Sequence, residues 1–435
     1  MNRRTETIFA LSTARGKSAV ALIRVSGPDA YELVKNISSN MPKKPNTATL
    51  NEIRQMKGAT IDQTITTLYR SPKSFTGEDM VEIATHGSNA VIKKIFGVFS
   101  KNQKMRLATP GEFTRRAFEN NKLDLTQVEA IADLVDAETE VQRKQAISHL
   151  SGSFFKFSKK IFEDLRGILA NIEAIIDFTD EDLPENLMHK IKEQIKNIVN
   201  KINNTLLGSS VGISVREGFV VAILGKPNTG KSSFINNISA KDISIVTDRP
   251  GTTRDLIESF LDLDGYPVKF IDTAGIRESV DFVEKIGVEK AFLLAKEADI
   301  NLIFIEQNKD ILFFNNIKNA IFVKSKQDIA GGIFKEGLFY NISAKNNFGI
   351  KDLLSILKEK IYDKTPNEMD CVSRERHVRC LSLTKKYLEE SQKEKNIDLF
   401  AEDVRLALKS LSSLFGSVDI EDILDIIFSD FCIGK

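Results

Sequence analysis

The chain has no tryptophan and, in 435 residues, only three cysteines and four histidines. Cys371, Cys380 and Cys432 include no pair at CxxC spacing. That excludes a disulfide framework or zinc site legible from spacing. His86, His149, His189 and His377 form no HExxH-type cluster. A reducing, cytoplasmic setting is therefore expected. Long apolar runs are also missing. No stretch approaches the ~20 residues of a membrane span. The N-terminal MNRRTETIFALSTARGKSAV lacks the apolar core and cleavage site of a secretory leader. An excess of one charge is lacking too: 61 Lys and Arg against 60 Asp and Glu leave +1. A nucleic-acid partner cannot be argued from global charge and needs a local basic patch. What is present is an ordinary globular composition, 42% hydrophobic and 28% charged. At roughly 150 residues per domain, two or three domains are expected.

Four regions follow along the chain. Residues 1–118 read as a compact α+β domain. Ala19–Val25 (AVALIRV) is strand-like and closes on Ser26-Gly27-Pro28, and Met80–Ala84 (MVEIA) alternates. From 119 to 215 the period changes. Ile161, Leu165, Ile168, Ile172 and Ile175, then Ile191, Ile195, Ile198 and Ile202, recur at helical spacing. Pro184 breaks the run between them, and Gly208-Ser209-Ser210 ends it. From 216 to 368, apolar runs alternate with helical patterns: FVVAIL (219–224), VKFID (268–272), INLIFI (300–305), AIFV (320–323) and LFYNI (338–342). Such alternation predicts βαβ units and a mostly parallel sheet. Residues 369–435 are helical again, with Leu406, Leu408, Leu411 and Leu414. The economical reading is a nucleotide domain inserted into a helical domain made of two chain segments. Two separate helical domains are the alternative.

Gly225-Lys226-Pro227-Asn228-Thr229-Gly230-Lys231-Ser232 fits GxxxxGK[ST] between an apolar run and a helical pattern, the context of a phosphate-binding loop. Backbone N–H groups of such a loop curl around phosphate oxygens. Lys231 is suited to the β- and γ-phosphates and the Ser232 hydroxyl to Mg²⁺, with Ser233 next in the phosphate-binding set. Asp272-Thr273-Ala274-Gly275 ends the VKFID run. Its carboxylate suits a water-mediated Mg²⁺ contact, and the Gly275 N–H suits the γ-phosphate. Thr247-Asp248-Arg249-Pro250-Gly251-Thr252-Thr253 lies between the two motifs and can act as a two-state loop or be a plain polar loop. Ser325-Lys326-Gln327-Asp328 follows AIFVK, where Asn-Lys-x-Asp is expected for base selection. Asp328 can accept from the two N–H donors on guanine's Watson–Crick edge, which adenine lacks. Ser325 is shorter than the expected Asn. Ser343-Ala344-Lys345 fits the last guanine-contacting loop. Together these motifs predict binding and hydrolysis of a guanine nucleotide. Ile276 stands where many regulatory GTPases carry a water-orienting Gln, so that role must be filled elsewhere.

GKPNTGKSS, TDRPGTTRD and DTAGIRE resemble the Era/EngA/MnmE group of GTPases. Ser74–Asp79 (SFTGED), His86-Gly87, Thr109–Phe118 (TPGEFTRRAF), Lys122–Leu125 (KLDL), Glu129-Ala130 and the terminal Cys432-Ile433-Gly434-Lys435 narrow the resemblance to the tRNA modification GTPase family MnmE, also called TrmE. It covers essentially the whole chain. It implies an N-terminal α+β folate-binding and dimerising domain, a two-segment helical domain and an inserted Ras-like P-loop GTPase domain. It implies a homodimer that joins an MnmG-like FAD and NADH protein in a heterotetramer. Together they install an aminomethyl or carboxymethylaminomethyl group on C5 of the wobble uridine of certain tRNAs. The one-carbon unit comes from 5-formyltetrahydrofolate or a related tetrahydrofolate. Carried over residue by residue, Arg24, Glu82, Lys122 and Lys435 match folate contacts, and Cys432 matches the tail cysteine. Asn228, Thr247, Arg249 and Thr252 match a K⁺ site whose cation supplies charge as two GTPase domains dimerise. Thr253 matches the Mg²⁺ threonine, and Glu284 matches the glutamate that orients water. Thr13–Ser18 and Pro250 depart from the family pattern. A ribosome-assembly or regulatory GTPase of the Era/EngA type is the rival reading, and an ATP-dependent P-loop enzyme a second. The tail and SFTGED argue against the first, Asp328 and Ser343–Lys345 against the second.

Overall fold

The computed structural model describes residues 6–55, 58–177, 186–239, 257–272, 292–326, 334–365, 372–416, 424, 427–428, 431 and 434. Packing groups the chain into two units, Met1–Ala132 with Ser412–Lys435, and Asp133–Leu411. The composition boundaries at 118, 215 and 368 do not coincide with this grouping. Leu424, Phe428 and Phe431 pack on Leu125 and Val128, which places the last segment with the first.

In the first unit, β1 (Thr7–Leu11), β2 (Ser18–Ser26), β3 (Ala48–Arg54), β4 (Thr60–Tyr69), β5 (Met80–Gly87) and β6 (Met105–Leu107) form one sheet in the order β3-β4-β5-β2-β1-β6. The strand read at Ala19–Val25 is β2, and the run read at Met80–Ala84 begins β5. Period-2 alternation turns Phe9, Ile23, Val25, Val81 and Ile83 into one core with Ile95 and Phe99 of the helix Asn89–Phe99.

In the second unit, helix Ser153–Asp177 buries Ile161, Leu165, Ile168 and Ile172, while Ile175 is only partly covered. Helix Leu187–Leu207 buries Ile191, Ile195, Ile198 and Ile202. Gly208 ends that helix, but Ser209–Glu217 then forms a further helix where a break was expected. Pro184 lies outside the described residues.

The same unit holds a seven-stranded sheet of β7 (Phe219–Gly225), β8 (Ile257–Leu263), β9 (Tyr266–Asp272), β10 (Ile300–Ile305), β11 (Ala320–Lys324), β12 (Lys335–Glu336) and β13 (Phe339–Asn341). Its order is β12-β13-β11-β10-β7-β9-β8. Strands β13, β11, β10, β7 and β9 run parallel, and β8 and β12 are antiparallel edges. The mostly parallel sheet expected for a Ras-like GTPase domain is present. After β7 the chain builds to one side through β9 and to the other through β10, so the carboxyl end of β7 is the switch point where such sheets bind ligands. Among the described residues, no helix is long and apolar enough to cross a membrane.

Candidate functional site: a phosphate-binding rim and an N-terminal charged pair

The carboxyl ends of the parallel strands collect the motif residues. The loop after β7 holds Asn228, Thr229 and Gly230, and the helix Lys231–Ser239 begins with Lys231, Ser232 and Ser233. Asn228 has φ of 63°, a left-handed conformation that Asn tolerates better than most residues. Gly230 has φ of 93°, and a Cβ there would lie 2.4 Å from Ser325 Oγ. Only glycine fits.

The loop is held by its own polar groups. Thr229 Oγ1 donates to the Lys226 carbonyl at 2.8 Å. Lys231 Nζ, 4% exposed, donates to the carbonyls of Gly225 and Lys226, each at 2.7 Å. A buried ammonium is thereby solvated by two carbonyls of its own loop. At the end of β9, Asp272 is buried, and Ser232 Oγ lies 3.4 Å from Asp272 Oδ2. A hydroxyl beside a carboxylate is a hard-oxygen pair suited to Mg²⁺.

Ser325 and Ser343, from the two segments expected to read the base, reach the same rim. Ser325 follows β11, and its hydroxyl donates to the Thr229 carbonyl. The residue shorter than the expected Asn therefore still ties its loop to the phosphate loop, because Gly230 permits the close approach. Lys326 has φ of 62°. Ser343, fully buried after β13, opens the Ser343-Ala344-Lys345 loop. Thr247, Asp248, Arg249, Pro250, Gly251, Thr252, Thr253, Thr273, Ala274, Gly275, Glu284, Gln327 and Asp328 lie outside the described residues, as do Cys432 and Lys435.

In the first unit, β2 and β5 place Arg24 directly opposite Glu82. Arg24 Nε donates to Glu82 Oε1 at 2.8 Å, and Tyr69 Oη donates to Glu82 Oε2 at 3.2 Å. Burial and the Glu82 charge both raise the Tyr69 pKa. The Arg24 guanidinium also covers the Phe75 ring, 5.4 Å from its centre. Lys122 Nζ donates to the Pro72 carbonyl at 3.0 Å, and the stem of its side chain lies against Gly77. Arg24 and Lys122 thus both meet the loop carrying SFTGED. At the other chain end, a Cβ on Gly434 would lie 2.1 Å from the Leu11 carbonyl oxygen, and Ser12 Oγ donates to the Gly434 carbonyl at 3.0 Å. The glycine in the terminal CIGK is what lets the chain at residue 434 lie against the end of β1.

Sequence reading missed two supports. Asp310 sits in the 3₁₀ helix Asn308–Phe314, within the short segment between INLIFI and AIFV. It holds Lys226 Nζ of the phosphate loop at 2.7 Å, and that hydrogen bond lowers its pKa. Buried Glu112 joins Arg106 and buried Arg116 in a network that also includes Glu78. No motif spacing marks Asp310, although Glu78 and Glu112 lie within the quoted SFTGED and TPGEFTRRAF segments.

Comparison with known proteins agrees in both units. The family model of the GTP-binding protein TrmE N-terminus matches residues 7–122, and that of the MnmE helical domain matches residues 125–432. The chain is 37% identical to the tRNA modification GTPase MnmE of Roseobacter denitrificans, covering 99% of this chain and 100% of that one. It is 42% identical to the protein of the same name from Pelagibacter ubique, again over 99% and 100%. Among solved structures, Aquifex aeolicus Era bound to GDP and AlF4⁻ is 24% identical, covering 41% of this chain and 69% of that chain at a TM-score of 0.27. The full-length matches and the two domain models leave one conclusion: the chain belongs to the MnmE family of tRNA modification GTPases.

Proposed function

We propose that this chain hydrolyses GTP to drive modification of tRNA at C5 of the wobble uridine, working as a homodimer in the cytoplasm with an MnmG-like FAD-dependent partner. The observation that carries the GTPase half is the rim itself. The phosphate loop, Asp272, Ser325 and Ser343 all sit at carboxyl ends of one parallel sheet. Lys231 would exchange its loop carbonyls for β- and γ-phosphate oxygens. Ser232, with Thr253, would hold Mg²⁺, which supplies charge neutralisation at the phosphates when bound. Asn228, with Thr247, Arg249 and Thr252, would hold K⁺ at the interface of two GTPase domains. Glu284 would orient the attacking water.

The modification half rests on the N-terminal pair. A guanidinium lying over an aromatic ring and bonded to a partly covered carboxylate fits a ligand with an N–H edge and carboxylates, as a tetrahydrofolate has. Arg24, Glu82, Lys122 and Lys435 would bind it, and the seated tail would bring Cys432 to the same unit. The product is an aminomethyl or carboxymethylaminomethyl group.

The test is mass spectrometry of tRNA nucleosides from cells lacking this protein, with and without the gene restored. Loss of C5-modified wobble uridine, regained on restoration, is expected. Unchanged nucleosides with defective ribosome assembly would favour the switch-type GTPase instead.

A further inference from the structure

Two tethers run between the phosphate-binding segment and the loops expected to read the base. Ser325 makes the first, from its hydroxyl to the Thr229 carbonyl. Asn237, on the helix Lys231–Ser239, makes the second. Its side-chain amide donates twice, to the Ala344 carbonyl at 2.7 Å and to Asn347 Oδ1 at 2.8 Å. The loop it grips is closed on itself. Ser343 N donates to the Phe348 carbonyl at 3.0 Å, and Asn346 N donates to Ser343 Oγ at 3.3 Å. Asn347 turns the chain with φ of 57°.

This grip has a directional consequence. The Ala344–Lys345 peptide is planar and trans, so its carbonyl and its N–H point opposite ways. With the Ala344 oxygen fixed on Asn237, the Lys345 N–H is aimed away from the helix. We propose that Asn237 is a positioning residue for guanine selectivity. It orients the Ala344–Lys345 peptide so that its N–H meets O6 of guanine, where adenine presents a donor instead. The inference rests on the guanine-nucleotide reading of the rim and adds to it a residue outside the recognised motifs. It also bears on the short Ser325, since a second tether fixes the base-reading side.

The test uses the purified full chain and three ligands: GDP, ADP and the diphosphate of 2-aminopurine riboside, which lacks O6. Asn237→Asp keeps the shape and removes both donors, and Asn237→Ala removes the group. Two neutral hydrogen bonds predict that GDP affinity falls about tenfold. The analogue lacking O6 should bind each variant as it binds wild type, and KM for GTP should rise with kcat unchanged. A wild-type measurement stands independently of how the variants fold. GDP should slow hydrogen exchange at the Lys345 amide, and the analogue should not. Unchanged GDP affinity, equal losses for GDP and the analogue, or equal amide protection by both would overturn the role of Asn237. A wild-type chain that binds no guanine nucleotide would instead overturn the reading on which it rests.

Discussion

Glu112, in the first unit, carries a charge held by several partners at once. Burial alone pushes its pKa up, but the hydrogen bond from Arg106, the Thr109 N–H and the charges of Arg116 and Arg106 outweigh it, holding the carboxyl at about 2 against an ordinary 4.5. A depressed carboxylate stabilises the fold above its unfolded pKa, and that stability drains away as pH falls from 4.5 towards 2. The contribution is on the order of 3 kcal/mol. In urea unfolding followed by circular dichroism, wild type should lose stability over this window relative to Glu112→Gln, whose side chain does not titrate. Parallel curves would remove the network from the acid response. At the nucleotide site, the proposed mechanism gives Glu284 the task of orienting water. With Ile276 unable to orient water, Glu284→Ala should keep GTP affinity and lose hydrolysis by at least about a hundredfold, a typical loss for a positioned acid–base group. Wild-type hydrolysis should be faster in K⁺ than in Na⁺. Nucleotide-binding and phosphate-release assays in both salts check the two expectations together.

At the scale of elements, the nucleotide-binding sheet is fastened to helices by a few polar joints. Helix Glu140–Leu150 starts with a capping box, Thr139 with Gln142. Val141 N donates to the Gly265 carbonyl at 3.1 Å, in the turn between β8 and β9, and the Val141 side chain enters the core of the sheet. Gln142 Nε2 donates to the Arg216 carbonyl at 3.0 Å. Asp133 then receives Arg216 Nε at 2.8 Å and Arg374 Nη2 at 2.6 Å. Arg216 lies just before β7, and Arg374 just after the nucleotide-binding segment. One carboxylate thus binds both crossings of the chain. Asp133→Ala leaves two part-buried guanidinium groups without this acceptor and should lower stability by about 2 kcal/mol. Asp133→Asn should lose less. Urea midpoints of the two variants provide the check, and a change within experimental error would show the joint to be dispensable.

At the scale of the molecule, the two ends of the chain belong to one packed unit and the nucleotide chemistry to the other. Gly111 meets Phe428 so closely that a Cβ would lie 2.7 Å from the Phe428 carbonyl oxygen. The TPGEFTRRAF segment therefore supports Phe428, and the end of β1 lies against Gly434. Deleting residues 432–435 should abolish wobble-uridine modification and leave GTP hydrolysis within about twofold of wild type, because these residues group with the first unit and the phosphate loop with the second. Nucleoside mass spectrometry and a phosphate-release assay on the same variant measure the two halves separately.

Residue periods and motif spacing settled much of this in advance. Isoleucines at three- and four-residue steps made Ser153–Asp177 and Leu187–Leu207 helices, because one apolar stripe is enough to dictate that choice. Apolar runs followed by Gly225–Ser232, Asp272 and Ser325 set the rim, because parallel connections return every strand end to the same edge. Strand β8 went unread because IESFLDL carries too weak an alternation, and its place comes from pairing with β9. The hold of Asp310 on Lys226, of Asn237 on Ala344 and of Asp133 on two arginines joins residues dozens to hundreds of positions apart. Periodicity reports only what one local segment buries. Which distant polar group answers a given donor, and that the last segment packs with the first, is decided by the three-dimensional closure of the chain.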